Sequence, residues 1–270
     1  MKSRIVVAIV VVIVVGSIAA YFYGQQRQPE PVPVQAILPA PPPPEPVVQQ
    51  VIEAAPAQPP LPELSDSDKF MLDTLAGLVG NKSLMKLFYT ERIIRKIVAT
   101  IDNLPRERVP LSVMPVSPAP GAFITEGAEG DKTISPKNAA RYAIYVKIAE
   151  AIDARKLVEV YVRLYPLFQQ AYEELGYPKK YFNDRLLAAI DNMLAAPDPK
   201  KPVKLVQPHV LYNFAAPDLE ARSAGQKILM RMGSENEAKI KARLREMKQQ
   251  VMLHMRDKKV DSAKGSLSAD

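Results

Sequence analysis

"LVEVYVRLYPLFQQAYEELGYP", residues 157–178, is the stretch that decides the fold of this chain. Large apolar side chains recur along it at intervals of three and four residues, which places them on one stripe of an α-helix. The stripe consists of Leu157, Tyr161, Leu164, Phe168, Tyr172 and Leu175. We therefore predict that this aromatic cluster is a packing face inside a helical domain and not an active site.

The end of this helix is also encoded locally. Gly176 stands where a left-handed C-cap is needed, and Pro178 prevents the helix from continuing. Pro166 lies inside the predicted helix, removes one backbone hydrogen bond and is expected to kink the axis. Glu173 and Glu174 are consecutive, so they lie about 100° apart around the helix and do not converge as an acid–base pair.

Helix start and stop signals continue on the N-terminal side. Ser65 is a predicted N-cap, with Asp66 and Asp68 in the first turn, where the helix dipole favours acidic residues. Thr90 precedes the helical stretch "ERIIRKIVATIDNL", which Pro105 ends. Residues 105–135 are rich in proline, glycine and serine, and this long irregular segment is a candidate functional loop or covering flap.

The same signals continue on the C-terminal side. Ser135 and Pro136 open a helix, and Pro197 ends a later one whose predicted stripe is Phe182, Leu186, Ala189, Ile190 and Met193. Residues 202–214 read as an extended connector or a hairpin arm, and residues 217–232 as a helix that ends at Gly233. The expected fold class is all-α, with a multi-helix globular domain at 63–256 and a disordered tail at 257–270.

Nearly all of the excess positive charge of the chain lies in and around the last helix. Ser234 and Glu237 have the spacing of a capping box. Between Lys227 and Lys259 the chain contains ten Lys or Arg residues and four Asp or Glu residues. Its apolar seam consists of Ile240, Leu244, Met247, Val251 and His254. We predict that its cations contact an anionic partner, with a solvated helix face as the alternative. These candidate partner-contact residues are Lys239, Lys241, Arg243, Arg245 and Lys248.

The N-terminal segment is predicted to be a membrane anchor. Residues 5–23 contain no charged residue and would span roughly 28 Å as a helix, close to the thickness of a bilayer's hydrocarbon core. A cleaved signal peptide is the alternative, because Ser17 and Ala19 form an acceptable cleavage site. Lys2 and Arg4 precede the segment, which favours a cytoplasmic N-terminus at 1–4 and a periplasmic body.

Residues 24–62 are predicted to be a proline-rich linker. Thirteen prolines occur among the 34 residues from Pro29 to Pro62. Such a segment is an extended spacer that reaches on the order of 100 Å at about 3.1 Å per residue. It would hold the helical domain away from the inner membrane.

The sequence offers little support for catalysis. The chain has no cysteine, and His209 and His254 lack the spacing of a metal site, so we predict no catalytic, cofactor-binding or metal-ligating residue and no cofactor. The enzymatic alternative is an envelope hydrolase that uses two paired carboxylates. Its candidates are Glu150, Asp153, Glu173, Asp184, Asp191 and Glu220. Nucleic acid is not an expected partner, because the body is predicted to be exported.

Four stretches together resemble a known family. They are "IVATIDNLP" at 97–105, "NAARY" at 138–142, "YPLFQQAYEELGYP" at 165–178 followed by "FNDRLLAAIDNML", and "AGQKILMRMG" at 224–233. The chain is similar to proteobacterial inner-membrane proteins that have one N-terminal anchor, a proline-rich spacer and a conserved domain of unknown function. This resemblance covers roughly residues 62–250 and implies location and domain extent, but no activity.

These observations predict a membrane-anchored periplasmic adaptor that binds an envelope protein or polymer through a helical domain. The hydrolase is the first alternative, and a nucleic-acid binder that faces the cytoplasm is the second. The identity of the partner and the oligomeric state stay open at this point.

Overall fold

A computed structural model of the chain describes residues 60–80, 82–199 and 202–267. The predicted anchor at 5–23 and the linker up to residue 59 lie outside these ranges. Within them, no helix is both long and apolar enough to cross a membrane. The described domain is mostly helical, with little sheet.

Eight α-helices make up most of the described residues. They are α1 (Ser67–Val79), α2 (Ile93–Asn103), α3 (Asn138–Ala151), α4 (Ala154–Glu174), α5 (Phe182–Leu194), α6 (Pro217–Glu220), α7 (Ala224–Arg231) and α8 (Ser234–Leu267). Short 3-10 helices occupy Leu64–Asp66, Lys82–Leu87 and Leu111–Val113. Helix α8 packs against α3, α4, α5 and α7, and α2 packs against α4 and α5, so one core lies between these helices.

The predicted stripe of α4 lies in that core, with one exception. Its first five members are at most 3% exposed: Leu157, Tyr161, Leu164, Phe168 and Tyr172. The rings of Phe168 and Phe182 are stacked with their centroids 5.7 Å apart, and Tyr161 and Tyr172 lie against the same Phe182 ring. The prediction is wrong for Leu175, which is 41% exposed because the helix ends at Glu174.

Helix α4 ends in a Schellman motif, as the glycine and proline signals indicated. Gly176 has φ 112°, its N–H donates to the carbonyl of Glu173, and the N–H of Tyr177 donates to the carbonyl of Tyr172. The same turn stacks the ring of Tyr177 on that of Tyr172 at 4.7 Å. Pro166 lies inside the helix, which continues on both sides of it.

Helix α2 receives its N-cap from another helix. Its backbone N–H groups of Arg92 and Ile93 donate to the Asp68 carboxylate at 2.7 and 2.8 Å. The helical stretch predicted to follow Thr90 begins later, at Ile93. The predicted N-cap at Ser65 is wrong, because Ser65 lies inside a 3-10 turn, two residues before α1. Arg92 adopts φ 51°, a left-handed conformation that the two hydrogen bonds stabilise.

The predicted helix at 217–232 is broken into two. Helix α6 ends at Glu220, and Ser223 starts α7 by accepting a hydrogen bond from the N–H of Gln226 at 3.3 Å. Helix α8 then begins at Ser234, which is its first residue and not its N-cap. It continues to Leu267, whereas we predicted a disordered tail from residue 257.

Two short antiparallel hairpins lie beside the helices, and the described domain is otherwise the helical fold that the sequence predicts. The first pairs Thr125–Glu126 (β1) with Thr133–Ile134 (β2), and the second pairs Leu205–Val206 (β3) with Asn213–Phe214 (β4). A bridge between Thr133 and Lys204 joins them. The hairpin-arm interpretation of 202–214 is thus confirmed.

The irregular segment between α2 and α3 is anchored and does not form a free flap. Val109, Met114 and Val116 are each 1% exposed. The Arg141 guanidinium donates to the carbonyls of Pro120 and Gly121 at 2.9 and 2.8 Å. These contacts fix the segment on α3, so it is part of the domain's cover.

Candidate functional site

Helix α8 carries the five predicted partner-contact cations, and the first two of them are bound within the domain. Lys239 pairs with Glu235, with 2.9 Å between ammonium and carboxylate. Lys241 is 9% exposed, pairs with Glu237 at 2.6 Å and donates to the backbone carbonyl of Ala196. Lys241 is therefore a structural residue that fixes α8 against the end of α5.

Arg243 and Lys248 are also engaged. The Nε of Arg243 donates to the carbonyl of Ala149 at 3.0 Å, and its guanidinium pairs with Glu246. Lys248 pairs with Asp191 of α5. The hydrogen bond to Ala149 joins α8 to α3, and the pair with Asp191 joins it to α5, whereas Arg243 and Glu246 pair within α8. Each carboxylate offsets one of the helix's positive charges.

Arg245 differs from the other four. It is exposed, and no carboxylate of the described residues forms an ion pair with it. A cleft of about 340 Å³ lies beside it, and Leu194, Met252 and Leu253 form its apolar wall. Met252 is 46% and Leu253 41% exposed. The structure thus places one unpaired cation next to an open apolar cleft, which we call the α8 cleft.

The carboxylates proposed for catalysis are occupied by structural contacts. Asp153 caps α4 by accepting a hydrogen bond from the N–H of Lys156 at 2.9 Å. Glu220 pairs with the buried Lys227 at 3.0 Å and accepts from the N–H of Phe214 at 2.8 Å. Two of the six candidates therefore act as a cap and a buried ion-pair partner.

The remaining carboxylates are no closer to forming a catalytic pair. Glu150 lies 3.9 Å from the ammonium of Lys239, Glu173 accepts from Gln169 at 2.8 Å, and Asp191 is bound as described above. Asp184 is exposed, although neighbouring protein atoms desolvate it and raise its pKa. The structure does not bring two of these carboxylates together in any of the clefts described here.

A family model describes most of this domain. The model for a protein of unknown function, DUF3014, matches residues 93–248. The chain belongs to the DUF3014 family. The match begins at the first residue of α2 and ends inside α8. No curated protein and no solved structure matches the chain.

The DUF3014 domain contains an ionic cluster that the sequence did not reveal. The side chain of Asp102 is 5% exposed and pairs with Arg106 at 2.6 Å and with Arg185 at 2.9 Å. Arg106 also donates to the Tyr177 hydroxyl at 2.7 Å. The cluster ties the end of α2 to the start of α5. Arg106 lies only four residues from Asp102, but Tyr177 and Arg185 lie 75 and 83 residues from it, too far to give a local signal.

Two further depressions on the DUF3014 domain carry both signs of charge. A groove of about 510 Å³ between α4 and α8 is lined by Arg155, Glu159 and Arg243. A cavity of about 370 Å³ between the hairpins and the start of α8 is lined by Glu126 and Arg231. Neither has the converging groups of a recognised catalytic site.

We predicted no metal site because the two histidines lack the sequence spacing of metal ligands. His209 is exposed in the second hairpin, and Nδ1 of His254 lies 3.2 Å from the carbonyl of Gln250. The described residues contain no group of three or more histidine, aspartate or glutamate side chains placed to hold a metal ion.

Proposed function

We propose that this chain is a single-pass bacterial inner-membrane protein whose DUF3014 domain lies in the periplasm and acts as an adaptor. Its partner is an envelope protein or an anionic envelope polymer. The uncharged run at 5–23 supports an anchor, and Lys2 and Arg4 before it support the orientation. The proline-rich linker supports a domain held at a distance from the bilayer.

The observation that carries the binding role is the unpaired Arg245 beside the α8 cleft. An exposed apolar surface rimmed by charge is typical of a protein-docking site. Four of the five candidate cations are already paired with the domain's own carboxylates, so among these five only Arg245 offers uncompensated charge to a polyanion. Among the proposed partners, a protein segment with an apolar anchor and a carboxylate has the better support.

Site-specific photo-crosslinking in cells tests this role. A photoreactive amino acid at Met252 of the full chain should give a discrete protein adduct, and the same group at Lys147, exposed on α3, should not. The substitution Arg245→Glu should reduce the adduct, whereas Lys147→Glu should leave it unchanged. Equal adduct patterns from positions 252 and 147 would contradict the proposal.

The envelope hydrolase has less support. Five of its six candidate carboxylates already have structural partners, and Asp184 is the one that does not in the described part of the chain. Release of soluble fragments from purified cell wall by the full chain, lost in Asp184→Asn, would favour the hydrolase instead.

A further inference from the structure

The ionic cluster of Asp102, Arg106, Tyr177 and Arg185, which we call the Asp102 cluster, has an excess of positive charge. Its one carboxylate pairs with two guanidinium groups, so one positive charge is left without compensation inside the cluster. The carboxylate is buried, whereas the side chain of Arg106 is 49% and that of Arg185 24% exposed. The excess charge therefore lies at the protein surface.

Asp102 holds both guanidinium groups in fixed positions. Its Oδ1 accepts from Nε of Arg185 at 2.9 Å, and its Oδ2 accepts from Nη2 of Arg106 at 2.6 Å. Its backbone carbonyl accepts a hydrogen bond from each of the two arginines as well. Because both side chains are already ordered, an anion that binds them loses little affinity to side-chain ordering.

Each guanidinium group keeps donors that the Asp102 cluster does not use. An arginine has five N–H donors in a planar fork, two of them on Nη1. The contacts of Arg106 and Arg185 involve Nε and Nη2, and neither Nη1 forms a hydrogen bond within the described residues. Two neighbouring cations thus retain charge-assisted donors for a ligand.

A third cation lies beside the Asp102 cluster. The ammonium of Lys180 lies 5.5 Å from the centre of the Tyr177 ring, whose hydroxyl accepts from Arg106 at 2.7 Å. Lys180 is exposed and forms no ion pair in the part of the chain that the structure describes. The carboxylate of Glu174 at the end of α4 is engaged by Arg95 at 2.9 Å. Lys180 therefore adds to the positive potential at this surface.

The arrangement of the two arginines favours a phosphoryl group over a carboxylate. Arg106 follows the end of α2 and Arg185 lies in the first turn of α5, so the two forks belong to different elements. A tetrahedral phosphoryl group can present separate oxygens to two forks, whereas the two oxygens of a carboxylate lie in one plane. A phosphomonoester also carries a charge of about −1.5 to −2 at neutral pH, and guanidinium forks are common phosphate partners.

We propose that Arg106 and Arg185 form a surface site for a phosphoryl group, held in place by Asp102 and assisted by the charge of Lys180. The ligand is either free inorganic phosphate or the phosphomonoester headgroup of a larger molecule. The site does not rest on the proposed adaptor role, because none of these residues lines the α8 cleft.

Calorimetric titration of the full chain in a non-ionic detergent tests the site. Inorganic phosphate, added at constant ionic strength, should bind saturably to the wild type. Arg106→Lys keeps the charge but loses the planar fork, so the Kd for phosphate should rise at least about tenfold. Asp102 stays paired with Arg185 in this variant, and circular dichroism checks that it is folded.

Lys180→Gln provides a second variant that leaves the contacts of Asp102 intact. We expect it to raise the Kd for phosphate about threefold. Its matched control is Lys147→Gln, which removes an exposed cation from α3 and should leave the Kd unchanged. Acetate should bind the wild type at least about tenfold more weakly than phosphate.

Three results would overturn the proposal. They are the lack of saturable phosphate binding by the wild type, an equal Kd in folded Arg106→Lys, and acetate binding as tight as that of phosphate. The first two would show that the Asp102 cluster is only a structural ion cluster. The third would show that the site does not select a phosphoryl group.

Glycerol 3-phosphate distinguishes the two sources of the ligand. Binding at least as tight as that of inorganic phosphate supports a headgroup ligand, and binding at least about tenfold weaker supports free phosphate. The adaptor role fails separately: loss of the adduct at Met252 leaves phosphate binding unchanged, and loss of phosphate binding leaves that adduct unchanged.

Discussion

Phe168 is 2% exposed and stacks on Phe182 in the interior of the domain. The substitution Phe168→Asp would place an unpaired charge there, at a cost of several kcal/mol against a typical stability of about 5 to 15 kcal/mol. We expect loss of cooperative thermal unfolding, measured by circular dichroism. Leu175→Asp on the same helix is the control and should change the melting temperature little, because Leu175 is 41% exposed.

Retention of the full melting temperature by Phe168→Asp would mean that the ring does not lie in the core. The assignment of α4 as the central packing helix would then be wrong.

Buried tyrosines make the domain sensitive to alkaline pH. Burial raises the pKa of Tyr142, Tyr145, Tyr161, Tyr165 and Tyr172, and for Tyr145 and Tyr172 to about 12. The unfolded chain releases these protons near pH 10, so it binds fewer protons than the folded chain above that pH. The free energy of unfolding should therefore fall as the pH rises from about 10 to 12. Denaturant unfolding at a series of pH values measures this.

Tyr145→Phe separates the titration from the packing. The Tyr145 hydroxyl donates to the carbonyls of Ser117 and Pro118, so the variant should be less stable at neutral pH. Its stability should nevertheless fall less steeply above pH 10, because one titrating group is gone. Tyrosinate absorbance that develops fully near pH 10 in a folded protein would contradict the burial.

At the scale of elements, the N-terminus of α2 depends on α1. Asp68→Ala removes the carboxylate that accepts the N–H groups of Arg92 and Ile93. We expect a loss of about 1 kcal/mol in the free energy of unfolding, the usual value of an N-cap. Asp66→Ala is the matched control, since Asp66 is exposed and its carboxylate accepts a hydrogen bond from the neighbouring Ser65 hydroxyl. Equal effects of the two substitutions would show that the cap contributes nothing.

This cap shows what the sequence could predict and what it could not. The stripe of α4 and the turn at Gly176 were predictable, because their signals lie within a few residues of each other. Asp68 lies 24 residues before Arg92, so no local pattern joins them. The break between α6 and α7 did have a local signal in Ser223, a good N-cap residue that the continuous-helix prediction overlooked.

At the scale of the whole molecule, the orientation in the membrane is the prediction with the largest consequence. A reporter enzyme that is active only in the periplasm, fused after residue 62, should be active if the N-terminus is cytoplasmic. The same fusion with residues 5–23 deleted is the control and should be inactive. Activity of a cytoplasmic reporter at that position would favour the nucleic-acid binder instead.

The candidate site was only partly predictable at this scale. The sequence singled out the basic residues of α8, but not that Lys239, Lys241, Arg243 and Lys248 would be neutralised by carboxylates within the domain. Asp191 lies 57 residues from Lys248, and only the packing of α5 on α8 brings the two together. The packing of the helices also distinguishes Arg245 from the other four cations and forms the α8 cleft, so neither could be predicted from the sequence.

The cap from Asp68 also bears on how the protein is produced. The family match starts at Ile93, yet Leu64, Met71 and Leu75, all at most 3% exposed, belong to the same core and lie upstream of that boundary. A recombinant fragment trimmed to residues 93–248 would begin with uncapped backbone amide groups and would expose an apolar surface. Such a surface promotes aggregation. Expression should therefore start no later than Pro60.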